Sequence, residues 1–325
     1  MEKDASSLAF GLVAASAAKF LLSAWIRNKR LEMFEQIGTV TDVIYYPVKS
    51  CQGIPLESGT LCPLGIYANG MADRSWMFTR PDGSFLSQRQ CPRMALIKVS
   101  SHDDFIHLDA PKMPTLKLPK YPKVDMFRVF ECRVWGLPIP GMDCGEEANK
   151  WACDFLGQEN LHIVFSAPNM KKKIISDECL NPWTDLVRPE DQSVFSDLTS
   201  YLVTTNKSLD AVNERLEKPV SIRNFRPNIV IDTTQKAFDE DLWGELRFGD
   251  NVFMRCLHPC PRCILPTVDP DTGKKDPSLE PYKTLEKFRC KPGCGEAPFF
   301  GINAAVDFPA DIHVGDPVYA RNRTN

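Results

Sequence analysis

Residues 7–26 form an apolar run interrupted by a single charge, Lys19. A helix of that length spans about 30 Å, one bilayer core, so the pattern predicts a membrane-spanning helix. Its lysine would reach for an interface. Glu2, Lys3 and Asp4 precede the run, while Arg27, Lys29 and Arg30 follow it. That order places everything downstream on the cytosolic side. A cleaved secretory signal would carry its positive charge ahead of the run, with Ala15-Ser16-Ala17 as its candidate cleavage pattern. A transit peptide would be rich in arginine and poor in acids. A retained signal anchor fits the charge order best; the competing reading is a helix packed on the protein itself.

From residue 37 the period shortens and β-rich runs alternate with turn signals. Residues 39–46 predict a strand ending at Pro47. Residues 76–79 and 84–86 flank Arg80-Pro81-Asp82-Gly83 and predict a hairpin. Further strands are expected over 133–139, 228–232 and 318–320, and another hairpin over 246–257 around Gly249-Asp250-Asn251. Helices are fewer. Ala148, Trp151, Ala152, Phe155 and Leu156 share one helical face, with Asp143 and Glu146 as a capping pair and Gly157 as the stop. A second helix is expected from Ser208, as its cap, to Leu216. Residues 111–123 read as a surface connection, and residues 168–192 as a boundary or mobile loop whose run Lys171-Lys172-Lys173 is solvated.

Composition narrows the class. Of 325 residues, 43% are hydrophobic and 25% charged, which excludes a wholly disordered chain. Basic and acidic residues number 39 and 42, so the net charge of -3 gives no general electrostatic case for nucleic acid. Twelve cysteines fall short of a disulfide scaffold, and a cytosolic domain would keep them reduced.

The cysteine spacing admits more than one chemistry. Cys260-Pro261-Arg262-Cys263 is followed by Cys290 and Cys294, a spacing like that of a zinc ribbon. A redox pair and unconnected buried thiols are the other readings. Three stretches look like anion binders, each placing a cation beside a predicted strand: Tyr46-Pro47-Val48-Lys49-Ser50, Asp73-Arg74-Ser75-Trp76 and Asn224-Phe225-Arg226-Pro227-Asn228. Guanidinium forks suit phosphate because they bind it bidentately. No Walker loop and no dinucleotide glycine fingerprint is present, and the five histidines show no paired-ligand spacing.

Together with Phe195-Ser196-Asp197, Cys263-Ile264-Leu265, the run Thr267-Val268-Asp269-Pro270-Asp271-Thr272-Gly273 and the closing Gly315-Asp316-Pro317-Val318-Tyr319, these stretches occur in the order of a known family. Over about residues 37–320 the chain resembles the molybdenum-cofactor sulfurase C-terminal (MOSC) domain enzymes, in particular their amidoxime-reducing members. The resemblance implies a β-rich α+β fold: an anchor and basic linker over 1–36, a β-barrel-like N-terminal unit over 37–165 and a MOSC domain over 166–325. It implies a molybdenum–molybdopterin cofactor with Cys263 as the thiolate ligand to the metal. Lys49, Ser50, Arg74, Arg226, Asn228 and Arg262 would hold the pterin and its phosphate. Asp197 and Thr199 would join them, although here Leu198 intervenes where members often place threonine directly after the aspartate. Zinc recedes on this reading, and Cys260 becomes a neighbour of the site. The implied reaction is two-electron reduction of amidoximes, hydroxylamines and N-hydroxylated bases. Electrons would come from NADH through cytochrome b5 reductase and cytochrome b5 at the outer mitochondrial membrane. A carrier of cofactor sulfur and a zinc-stabilised, membrane-tethered interaction module are the alternatives.

Overall fold

The computed structural model describes residues 19, 21–22, 25, 29–175, 186–292 and 294–323. The expected anchor therefore lies largely outside the described residues, as does part of the expected boundary at 168–192. Among the described residues, no helix is long and apolar enough to cross a membrane. The expected basic linker is in part folded: Arg30 donates to Glu245 at 2.9 Å and lies over the Phe253 ring.

Seven strands close into a barrel: β1 (Glu35–Tyr45), β2 (Tyr201–Thr205), β3 (Ile229–Thr233), β4 (Trp243–Phe248), β5 (Val252–Pro261), β6 (Phe299–Val306) and β7 (Pro317–Asn322). Their order is β3-β2-β6-β5-β4-β7-β1, and β1 pairs with β3 to complete the ring. One strand thus comes from the N-terminal end of the chain and six from its second half. Most neighbours are antiparallel; β2 and β3 are parallel, with Val203 opposite Ile229. Such a pair needs a crossover, and a helix over Asn206–Asn213 (called α2 below) lies within it. The ring buries Ile37, Val43, Ile231, Leu246, Ile302 and Val318 completely. Each such side chain contributes about 1.5–3 kcal/mol by leaving water. Gly38 sits at a bulge in β1, where an added Cβ would stand 1.9 Å from the Asp232 carbonyl oxygen. Only glycine permits that approach.

Residues 58–165 supply further sheets. One joins Trp76–Thr79, Val129–Val134, Leu137–Asp143 and His162–Phe165; a helix, α1 (Glu146–Leu156), connects its last two strands. Another pairs Ser58–Cys62 with Ala310–His313, so a C-terminal strand completes an N-terminal sheet.

Several local expectations need correction. The predicted strand over 133–139 is two strands folded back at Trp135-Gly136, where Val134 pairs with Leu137. Both turn residues have positive φ, 53° and 83°, the geometry of a tight hairpin. Asp143 and Glu146 are not a capping pair. The N-cap of α1 is Gly145, and Asp143 lies in a strand, accepting from Gly145 N and from Asn149. Gly157 ends α1 in a left-handed conformation, as expected. In α2 the cap is Thr205, whose hydroxyl accepts from Ser208 N at 3.1 Å; Ser208 is inside the helix. Residues 111–123 include the strand Leu116–Pro119, which buries Leu116 and Leu118 in the core. A third helix, α3 (Tyr282–Arg289), was not anticipated, although Tyr282, Leu285 and Phe288 recur at helical spacing and Leu285 and Phe288 pack into a buried cluster.

Candidate functional site

Loops at one end of the barrel surround a cavity of about 680 Å³. Every candidate from the sequence lines it: Lys49, Ser50, Arg74, Asp197, Thr199, Arg226, Asn228, Arg262 and Cys263. They come from five separate stretches of chain: four are brought together because β1, β2, β3 and β5 begin or end there, and Arg74 precedes the strand Trp76–Thr79.

Asp73 anchors the first cluster. It is fully buried, accepts from Tyr46 N at 2.6 Å and pairs with Arg74. Burial pushes its carboxyl up, while the Arg74 charge and the bond from Tyr46 oppose that rise. Arg74 also donates to Asn228 Oδ1 at 3.2 Å. The Asn228 amide reaches Ile44 O at 3.1 Å and accepts from Leu202 N at 3.3 Å, so it fastens β1, β2 and β3 beneath the cavity. Arg74 and Arg226 both lie against the Tyr46 ring, at 4.9 and 4.3 Å. Arg226 donates to Cys51 O at 2.6 Å. Stacking on an aromatic face orients a guanidinium while leaving edge donors for a ligand.

The second cluster is a clamped loop. Lys49, almost fully buried, donates to Phe195 O at 2.7 Å and to Asp197 Oδ1 at 2.5 Å. Burial lowers its ammonium pKa, and Asp197 counters this. Lys173 holds the same loop through Ser196 O and Asp197 O, at 2.5 and 2.7 Å. Burial alone would raise the Asp197 carboxyl. Lys49, the Trp135 indole and Lys173 reverse this and hold it well below the usual carboxylate range. Its side chain nonetheless opens onto the cavity. The Thr199 hydroxyl lies 2.9 Å from Tyr201 O and 3.3 Å from Asn303 Oδ1.

The third cluster follows β5. Arg262 is tied by its backbone N–H to Pro298 O at 2.8 Å and by its guanidinium to Phe225 O at 2.8 Å. It also donates to Cys260 Sγ at 3.2 Å, and burial pushes that thiol's pKa up. Cys263 is partly exposed on the cavity wall.

Among the described residues, the cavity lining carries six cations, Lys49, Arg74, Arg89, Lys173, Arg226 and Arg262, against one carboxylate, Asp197. Three polar atoms on that lining, again among the described residues, are buried without a partner: Ser196 Oγ, Arg262 Nε and Asn303 Nδ2. Buried polar groups are rarely left so, and their cost points to a ligand that bonds them. An anionic, polar group fits this donor set. A soft, charged sulfur beside it suits a soft metal.

Arg89, Trp135, Lys173, Ser196 and Asn303 were missed as site residues. Lys173 belongs to the run expected to be solvated, yet Lys172 and Lys173 are both buried. The signal available was position: Lys173 begins a short strand, and alternation turns Ile174 outward. Among the described residues, no group of three or more histidine, cysteine or acidic side chains is placed to hold a metal ion. The four cysteines of the zinc-ribbon reading are all described and do not form one.

Comparison with known proteins identifies the family. A MOSC N-terminal β-barrel domain matches residues 37–159, and a MOSC domain matches residues 190–319. The chain is therefore a MOSC-domain protein. The chain is 38% identical over 305 residues to mitochondrial amidoxime-reducing component 1 of Homo sapiens, covering 91% of this chain and 88% of that protein. It is 39% identical over 302 residues to component 2 of Homo sapiens, covering 91% and 87%. Against component 2 of Bos taurus the identity is 38% over 303 residues, covering 91% and 88%. This chain belongs to the mitochondrial amidoxime-reducing component family.

Proposed function

We propose that the protein is a molybdenum-cofactor-dependent reductase of N-hydroxylated compounds. The observation that carries this reading is the meeting, in one cavity, of the Cys263 thiol with six cationic side chains and, among the described residues, a single carboxylate. The names and extent of the relatives support the same reading.

In this account Cys263, as thiolate, is the protein ligand to molybdenum. Arg74, Arg226 and Arg262 bind the phosphate and pterin through the donors their protein contacts leave open, and Ser50 adds a hydroxyl. Lys49 supplies charge and, with Lys173, fixes the 195–197 loop. Asn228 acts through Arg74, because its own amide is engaged with backbone. Thr199 acts through Asn303. Asp197, held ionised, accepts hydrogen bonds and donates none at neutral pH. When bound, the molybdenum pterin supplies two-electron redox chemistry at a sulfur-ligated metal. The overall reaction takes an amidoxime, two electrons and two protons to an amidine and water.

The chain carries no nicotinamide or flavin fingerprint, so the electrons need an external donor. NADH, cytochrome b5 reductase and cytochrome b5 are the proposed source, with residues 7–26 anchoring the chain in the outer mitochondrial membrane and the cavity domain facing the cytosol. Sharing a membrane would raise the effective concentration of donor and acceptor. The test is NADH oxidation coupled to benzamidine formation from benzamidoxime, with the three proteins reconstituted in vesicles. Turnover that requires all three supports the reading. Bound molybdenum without turnover would favour the sulfur-carrier alternative.

A further inference from the structure

One cavity cation has no role in the account above. The Arg89 guanidinium lies 4.1 Å from the centre of the Trp135 ring and 5.6 Å from that of Phe85. Each of the other five lining cations donates to a protein oxygen: Lys49 to Phe195, Arg74 to Asp73, Lys173 to Ser196, Arg226 to Cys51 and Arg262 to Phe225. Among the described residues, Arg89 has neither an ion pair nor a hydrogen bond, only its two aromatic contacts. Stacking uses the face of a guanidinium and leaves its N–H edge unspent.

Trp135 is held in place at some cost. Its φ of 53° is a left-handed conformation that bulky residues rarely adopt. Three contacts hold it there: its indole N–H donates to Asp197 Oδ1 at 2.9 Å, its ring leans on Phe85 at 5.7 Å, and Arg89 covers it. Half its surface stays exposed. Leu137 and the exposed Ile174 line the same cavity, so an apolar wall adjoins the one unengaged guanidinium.

We propose that Arg89, positioned by Trp135, binds the carboxylate of N-hydroxylated substrates that carry one, and so makes the enzyme prefer acidic substrates to neutral ones. The apolar body of the substrate would rest on Leu137 and Ile174 while the planar fork takes the carboxylate bidentately. The inference rests on the reductase reading.

The experiment compares benzamidoxime with 4-carboxybenzamidoxime on the cofactor-loaded full chain. Charge-assisted bonds of this kind correspond to about ten-fold or more in binding. The wild type should therefore favour the carboxylated compound by about ten-fold in kcat/KM. Arg89→Gln should bring that ratio near one, Arg89→Lys should restore part of it, and Trp135→Leu should lower it. Calorimetric affinity for 4-carboxybenzamidoxime should fall by a similar factor in Arg89→Gln, independently of turnover. An unchanged ratio in Arg89→Gln, or no preference in the wild type, would overturn the proposal. So would a loss of pterin content in Arg89→Gln, because Arg89 would then serve the cofactor. If the wild type reduces neither compound, the reductase reading fails. Calorimetry then decides the fate of Arg89, and equal affinities for the two compounds would overturn the proposal.

Discussion

The barrel wall and the loops around the cavity at its end follow opposite rules. In the wall, Ile37, Ile231 and Ile302 are fully buried and the backbone is paired from strand to strand. At the cavity, Ser50, Arg74, Trp135 and Arg226 have φ of 64°, 50°, 53° and 58°, a region that side chains other than glycine seldom occupy. Arg226 even precedes a proline, which ordinarily favours extended backbone. The wall supplies stability, and the rim spends some of it to aim cations into one space. Strained residues gathered at one cavity indicate use as well as packing.

That contrast can be broken first at Cys263. Cys263→Ser exchanges a soft donor for a hard one, so amidoxime reduction should be lost almost entirely while pterin is largely retained. Cys260→Ser should keep substantial activity, because Cys260 donates nothing to the proposed metal. Equal loss in both variants would return the pair to a shared structural role.

Arg226 separates aim from strain. Arg226→Ala should lower pterin retention by about ten-fold or more, and Arg226→Lys should restore part of it. Arg226→Gly should lose the cofactor as Arg226→Ala does, yet melt higher by a few degrees. Glycine accepts the left-handed backbone, which costs alanine about 1 kcal/mol. Equal melting temperatures for the two variants would remove the strain from the account.

In the wall the outcome should invert. Ile302→Ala opens a cavity in the closed barrel and should cost about 2–5 kcal/mol in denaturant unfolding. Folded molecules of that variant should still hold pterin at the wild-type ratio.

The smallest effect concerns pH. Glu240 is fully buried next to the start of α2, where the Ser208 hydroxyl donates to it at 2.8 Å. Burial pushes its carboxyl up to about 7, opposed by Ser208 and by the Arg289 charge, while Asp241 adds to the rise. The folded state therefore holds this proton more tightly than the unfolded chain. Stability from this group is fully present below 4.5 and is lost as pH rises towards about 7. Glu240→Gln should flatten the melting temperature across that window; an unchanged slope would assign it to other groups.

How much of this was legible depended on the range of the signal. Strands over 228–232, 246–257 and 318–320 followed from β-rich runs and turn residues, and the Gly157 stop followed from its chemistry; Phe299–Val306 and Ala310–His313 were not anticipated. Cations beside strand ends, at Lys49, Arg74 and Arg226, were visible because each has its own local motif. Closure of the barrel was not, since the β1–β3 pairing joins residues nearly two hundred positions apart and leaves no local mark. The hairpin at Trp135-Gly136 was missed because tryptophan is an unusual first residue for a left-handed turn. That one misreading also hid Trp135 and Arg89 from the site. Lys173 was misjudged because a lysine run ordinarily faces water, whereas here two backbone carbonyls replace that water.

The central claim is that Cys263 and the surrounding cations hold a molybdenum pterin in this cavity. Molybdenum-edge X-ray absorption on purified wild-type protein and Cys263→Ser tests it most directly. The account predicts near-stoichiometric molybdenum with sulfur neighbours in the wild type, and one fewer sulfur in the variant at similar pterin content. An unchanged sulfur shell in Cys263→Ser, or protein purified with zinc and no molybdenum, would contradict it.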